Sequence, residues 1–422
     1  MVSWTGVILI MTMGEPFAHG HDTTFVSSAQ DGRTRCASRS TRNAVELLRR
    51  VALVSHVFTR AVVSRGHTTL QGEAMASQRP LARLLKQVQR LNQRDEYWAA
   101  TSRLARMWIT PKHAPPYRPY VTLVLSQQGK IVSSHVLEHP PTAEALFAEL
   151  LRAMRRPAWG AGRARRPTRI YLDNAEDVAA LAPLLEALNI QCVYRPVLSM
   201  ADEVMGEMET HVGKYKPLPG LVSIPSVTPQ LLGHLYQLAA QFYQASPWGW
   251  FHDHHSFAIA CPPEDTPRYA VVMGSGGEVF GLAVYDQLED LRSMFTSPVS
   301  PRQMAKMRTW VVLFFEAALA VSFDDLDAMA VNDWPVAAPH AYPVFGRTTP
   351  EQALALPATS DLLWMEGALG ALLAYMDEHM EGYHGEVQPA DLTVSVPRVG
   401  GEAHVHLRLL EFDAIFREDH GG

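Results

Sequence analysis

Apolar positions at Leu81, Leu84, Leu85, Val88 and Leu91 recur at helical spacing. They predict a helix over 80–107, ended by the Pro-rich linker 109–119. From Tyr120 the period changes to two. Tyr120–Leu125 and Lys130–Leu137 alternate apolar and polar positions around a Gln128-Gly129 turn, which predicts a hairpin. Thr142 opens an amphipathic helix with Glu144 in its first turn and Leu146, Phe147, Leu150 and Leu151 on one face. A buried-type strand follows at Arg169–Leu172, then a helix at Ala175–Leu188, a strand at Cys192–Val197 and a helix at Ala201–His211. The order β-β-α-β-α-β-α implies an α/β fold, a largely parallel sheet covered by helices.

A linker over 214–227 separates this module from an α+β pattern over 228–422. Thr228 can cap a helix with Pro229 at its first position and Leu231, Leu235, Leu238 and Phe242 as its buried stripe. Strands are expected at Phe257–Cys261, Tyr269–Met273 and Val279–Tyr285, the last two joined by a turn at Gly274–Gly277. Pro301 opens a stretch of ambiguous type. Thr359 or Ser360 starts a helix through Met380, and a hairpin closes the chain at Leu392–Val396 and Ala403–Leu410.

Charge adds an asymmetry to this picture. Residues 1–116 carry a net charge of +9 and the rest −15, within a total of −6. The Arg-, Ser- and Thr-rich segment 1–74 lacks sustained periodicity, and Arg outnumbers Lys 31 to 6 along the chain, as in a GC-rich coding sequence. The segment reads as a disordered or non-native extension before a start at Met75, or as a basic arm for nucleic acid or lipid headgroups. Residues 75–116 then form the helical segment and linker that precede the α/β module at 117–213. Three separated cysteines, Cys36, Cys192 and Cys261, argue against a disulfide framework and against a paired-thiol zinc site. The best apolar run, Val311–Val321, is too short to span a bilayer and is broken by Glu316. The expectation is a soluble, cytoplasmic protein without a membrane partner or a cofactor.

The hairpin Tyr120–Leu137, the run Arg169-Ile170-Tyr171-Leu172-Asp173-Asn174 and the turn Leu188-Asn189-Ile190 carry a resemblance. With these residues, 117–211 resembles the ribonuclease-H-like fold of integrases and transposases. Members of that family process phosphodiesters with two metal ions held by carboxylates, the oxygen ligands that a hard cation such as Mg²⁺ takes. The resemblance places Asp173 at the family's second aspartate, and Glu203, Glu207 and Glu209 near its last acid. Its first aspartate belongs in the first strand, yet no Asp or Glu occurs from Tyr97 to Leu137. The resemblance therefore implies the architecture without the chemistry, and Asp173 is expected to cap the helix after it. Residues 228–331, through Phe242-Tyr243, Pro247-Trp248 and the hairpin from Met273 to Tyr285, are similar to a bacterial domain family of unknown function.

Two surfaces remain as binding candidates. Arg152, Arg155, Arg156, Arg163, Arg165, Arg166 and Arg169 occur without an acid between Glu149 and Asp173. Guanidinium groups suit phosphate, with Arg163, Arg165 and Arg166 as the leading contacts and Trp159 able to stack on a base. The run Trp248-Gly249-Trp250-Phe251-His252-Asp253-His254-His255 gathers aromatic and titratable groups in one loop, with Trp248, Trp250, His252 and Asp253 as small-molecule contacts. Adjacent histidines converge poorly on one ion, so no metal site is expected. Asp324, Asp325 and Asp327 read as a solvated turn. The leading functional reading is a non-catalytic binding or regulatory protein with a nucleic-acid or protein partner. A divergent metal-dependent nucleic-acid-processing enzyme using Asp173, and a small-molecule-binding domain at 247–255, are the alternatives.

Overall fold

The computed structural model describes residues 73–212, 219–252, 254–296, 309–349, 354–379, 387, 389–411 and 415, with backbone alone for 73–80 and Val212. The N-terminal extension, Asp253 and the stretch from Pro301 to 308 lie outside the described residues. The chain forms two compact units, which divide at residues 216 and 217.

In the first unit the elements are α1 (Glu73–Gln89), β1 (Gln93–Leu104), β2 (Tyr120–Ser126), β3 (Ile131–Leu137), α2 (Ala143–Arg155), β4 (Arg166–Leu172), α3 (Ala175–Glu186), β5 (Gln191–Tyr194) and α4 (Ser199–Val212). The helix expected over 80–107 ends at Gln89, and a central strand takes its second half. The cause is two-sided burial. Trp98 and Ala100 pack with Val124, Ile170, Leu150 and Leu181 on one face, while Ala99 packs with Leu123, Leu125, Val204 and Met208 on the other. A segment whose successive residues enter opposite cores needs a period of two.

The sheet order is β3-β2-β1-β4-β5. Strands β1 to β3 run antiparallel, and β4 and β5 run parallel to β1. Thr142 caps α2 through its hydroxyl, as its place in the sequence predicts.

The second unit contains α5 (Pro229–Ala245), β6 (Ser256–Ala260), β7 (Arg268–Met273), β8 (Gly281–Tyr285), α6 (Leu288–Thr296), β9 (Trp310–Glu316), α7 (Phe323–Asn332), β10 (Tyr342–Thr348), α8 (Thr359–His379), β11 (Asp391–Arg398) and β12 (Gly401–Leu410). Its seven strands form one antiparallel sheet, β10-β9-β8-β7-β6-β12-β11. Phe257, Ile259, Val272, Leu282 and Leu313 meet α5 and α8 on one face. Val271, Met273, Ala283, Tyr285 and Phe314 meet α6 on the other.

Buried charge fixes the ends of these elements. Asp361, 1 % exposed, accepts from Arg268 at 2.8 Å, from Arg347 at 2.6 and 2.9 Å and from the Ala358 amide at 2.9 Å, so α8 begins pinned to β7 and β10. The three aspartates after the apolar run form no solvated turn. Ser322 caps α7, and buried Asp325 accepts the Leu221 and Val222 amides at 2.9 and 3.1 Å. Among the described residues no helix is long and apolar enough to cross a membrane.

Candidate functional site

Strand β4 ends at Leu172, and its register with β1 pairs Leu172 with Ala100. The next residue on each strand is therefore Asp173 beside Thr101, with Arg103 two positions further along β1. Thr101 Oγ1 donates to Asp173 Oδ2 at 2.8 Å, and Arg103 Nε donates to the same oxygen at 2.7 Å. The outer nitrogen Nη1 of Arg103 donates to Asp202, in the first turn of α4. One guanidinium thus bridges two carboxylates, one from a strand end and one from a helix. Burial would ease its proton off, but the hydrogen bonds to Asp202 and Asp173 outweigh that and hold the group more firmly charged.

Asp173 does not cap the following helix. Asn174 does, accepting the Glu176 and Asp177 amides at 2.8 and 3.0 Å. The acid on α4 that reaches the cluster is Asp202, rather than Glu203, Glu207 or Glu209; Glu209 instead accepts the Arg106 amide at 2.8 Å. Strand β1 carries two acids, Asp95 and Glu96, upstream of the range from Tyr97. They lie at its other end, five or more residues from Thr101, a separation of about 16 Å at strand spacing. Glu96 is consumed there by Trp98 Nε1 at 2.9 Å and by Arg165. Among the described residues no group of three or more His, Cys, Asp or Glu side chains is placed to hold a metal ion.

The three leading arginines part company. Arg165 is 4 % exposed, pairs with Glu96, lies 5.3 Å from the Trp98 ring and donates to the Ala161 and Arg163 carbonyls at 3.0 Å each. It shapes the 156–165 loop from inside. Gly162, at φ +102°, accommodates this, since a Cβ there would sit 3.1 Å from the Arg165 guanidinium. Arg166 is spent on the Leu91 and Leu188 carbonyls at 3.1 and 2.6 Å. Arg163 alone of the three is exposed, and Trp159, four positions earlier in the chain, is 79 % exposed. A guanidinium has five donors, so an arginine inside a loop is readily taken up by unpaired carbonyls.

The aromatic run in the second unit is also divided. Trp248 packs on Phe280, Tyr243 and Phe315 at centroid distances of 4.6, 5.3 and 6.3 Å, as part of the core. Trp250 lines a separate shallow hollow with Gln241, Ala245, Leu373 and Asp377. His252 is exposed and donates its backbone N–H to His255 Nδ1 at 2.9 Å. Burial, with His254 and His252 adding to it, pushes the His255 imidazole down to about 4.

Fold and site define a two-unit mixed α/β protein whose first unit holds a cation-bridged pair of aspartates at the carboxyl edge of parallel strands. Residues 84–209 match a domain of unknown function, DUF6930, and residues 233–384 match another, DUF7309. No curated protein matches the chain.

Proposed function

We propose that the first unit is a ribonuclease-H-like module without metal chemistry, and that the protein acts as a non-catalytic binding or regulatory protein. The observation that carries this reading is Arg103. A two-metal site needs anionic ligands open to cations, and here a guanidinium occupies the space between Asp173 and Asp202. The sheet order, with three antiparallel strands followed by two parallel ones, supports the same reading. The test is incubation of the full chain with single- and double-stranded DNA and RNA in Mg²⁺ or Mn²⁺. No cleavage is expected; cleavage that Asp173→Ala abolishes would overturn the reading and favour a divergent nucleic-acid-processing enzyme.

A second reading concerns the partner. Trp159 stands in solvent on the loop that also carries exposed Arg163, and the Ala158 amide ties that loop to the Val132 carbonyl at 2.8 Å. An exposed ring and an exposed guanidinium on one loop suit single-stranded nucleic acid. Binding that weakens with salt and is lost in Trp159→Ala and Arg163→Ala supports this edge as its contact; binding untouched by both removes it.

A further inference from the structure

Helix α2 presents two alanines, Ala145 and Ala148, toward Leu81 and Leu84 of α1 and toward Ser133 and His135 of β3. Small side chains there leave a hollow of about 710 Å³, within the size range of sites for nucleotide-sized ligands. Glu149, which also lines it, is 4 % exposed and accepts from the Ser133 hydroxyl, from His135 Nε2 at 3.0 Å and from Arg152 Nη1 at 3.3 Å. Burial pushes its carboxyl up, but the His135 and Ser133 hydrogen bonds outweigh this and leave it below its ordinary range. Glu149 is thus a spent anion. Both of its oxygens are engaged, and it fixes the direction of an imidazole and a guanidinium instead of meeting a ligand itself.

Arg155 and Arg156 also line the hollow, both exposed, and neither forms a side-chain ion pair or hydrogen bond among the described residues. The last turn of a helix favours cations, which accounts for the position of Arg152 and Arg155. It does not account for a cavity ringed by three guanidinium groups and an oriented imidazole. Leu81, Leu84, Ala145 and Ala148 give the hollow its apolar lining, and Thr142 and Glu144, at the start of α2, complete it. Planar forks from the last turn of α2 and apolar side chains from its earlier turns and from α1 fit a ligand with a phosphate head and a largely uncharged body.

We propose that this hollow binds a small phosphate-bearing molecule of nucleoside-phosphate size. Its phosphates meet Arg152, Arg155 and Arg156, and its body lies along Leu81, Leu84, Ala145 and Ala148. The proposal rests on reading the first unit as a binding module, and its test is kept apart from catalysis by working in chelator. Titration calorimetry of the full chain with adenosine diphosphate and with pyrophosphate is expected to show binding of both. Arg155→Ala with Arg156→Ala should weaken both about tenfold or more. Ala148→Trp, which fills the hollow and spares the charges, should weaken the nucleotide more than pyrophosphate; Ala145→Leu serves if that variant misfolds. Arg408→Ala, an exposed arginine of the second unit and outside the hollow, should leave both unchanged. Absence of binding by either probe overturns the proposal, as does binding indifferent to the Arg155/Arg156 pair and to Ala148→Trp. So does nucleotide binding that Trp159→Ala, on the 156–165 loop, removes while the Arg155/Arg156 pair does not. Metal-dependent cleavage would instead strike the parent reading alone.

Discussion

Arg103 sits between two aspartates because β1 and β4 share a register that brings Thr101 level with Asp173, and because α4 begins where Asp202 can close the other side. Removing the guanidinium leaves two carboxylates facing each other without a counter-ion. Arg103→Ala is expected to destabilise the first unit by about 1–2 kcal/mol in chemical denaturation, with recovery as pH falls and the carboxylates protonate. Arg103→Asp goes further, since it sets a third carboxylate beside Asp173 and Asp202. Calorimetric titration with Mn²⁺ should then reveal binding that is weaker or missing in the wild type. Equal affinity in the two proteins would count against the view that Arg103 blocks a cation position.

Among the elements, the 156–165 loop owes its form to a residue that looked like its ligand contact. Arg165→Ala strips the buried Glu96 of its partner and releases two loop carbonyls, so a loss of about 3 kcal/mol is expected in urea denaturation. Arg163→Ala, two residues away and exposed, should change stability by less than about 0.5 kcal/mol. The same contrast shows what the sequence made legible. The hairpin of β2 and β3, the Thr142 and Thr228 caps and the alternation of β4, α3, β5 and α4 were readable because each rests on local period and capping chemistry. Strand β1 was not, because it is a central strand buried on both faces and carries no clean alternation, while the helical stripe before it runs on to Leu91. With β1 went Thr101 and Arg103, since only its pairing with β4 brings them to Asp173. Arg165 and Arg166 were misassigned for a related reason. Charge along the chain does not reveal which guanidinium finds an internal acid or carbonyl.

For the molecule as a whole, acid should act in two stages. His255 is held neutral down to about pH 4 in the folded chain, whereas an unhindered imidazole takes its proton near 6.5. Between those values the unfolded chain binds more protons, so stability rises with pH across that window. Substituting Asn at His255 should flatten this part of a stability-against-pH curve. At lower pH Asp361 takes over. Burial pushes its carboxyl up, but the Arg347 and Arg268 hydrogen bonds outweigh this and hold it below 3.8. Its contribution is complete above that value and is lost as pH falls through the lower folded one. Asp361→Asn should abolish that acid limb and lower the thermal midpoint already at neutral pH. The Arg103 bridge has a consequence of another kind. Its positive charge is tethered by covalent bonds, so it can be neither dialysed away nor exchanged for a competing ion. The order around Asp173 and Asp202 should therefore be indifferent to chelators and to swings in magnesium supply, a permanence that a borrowed ion cannot provide.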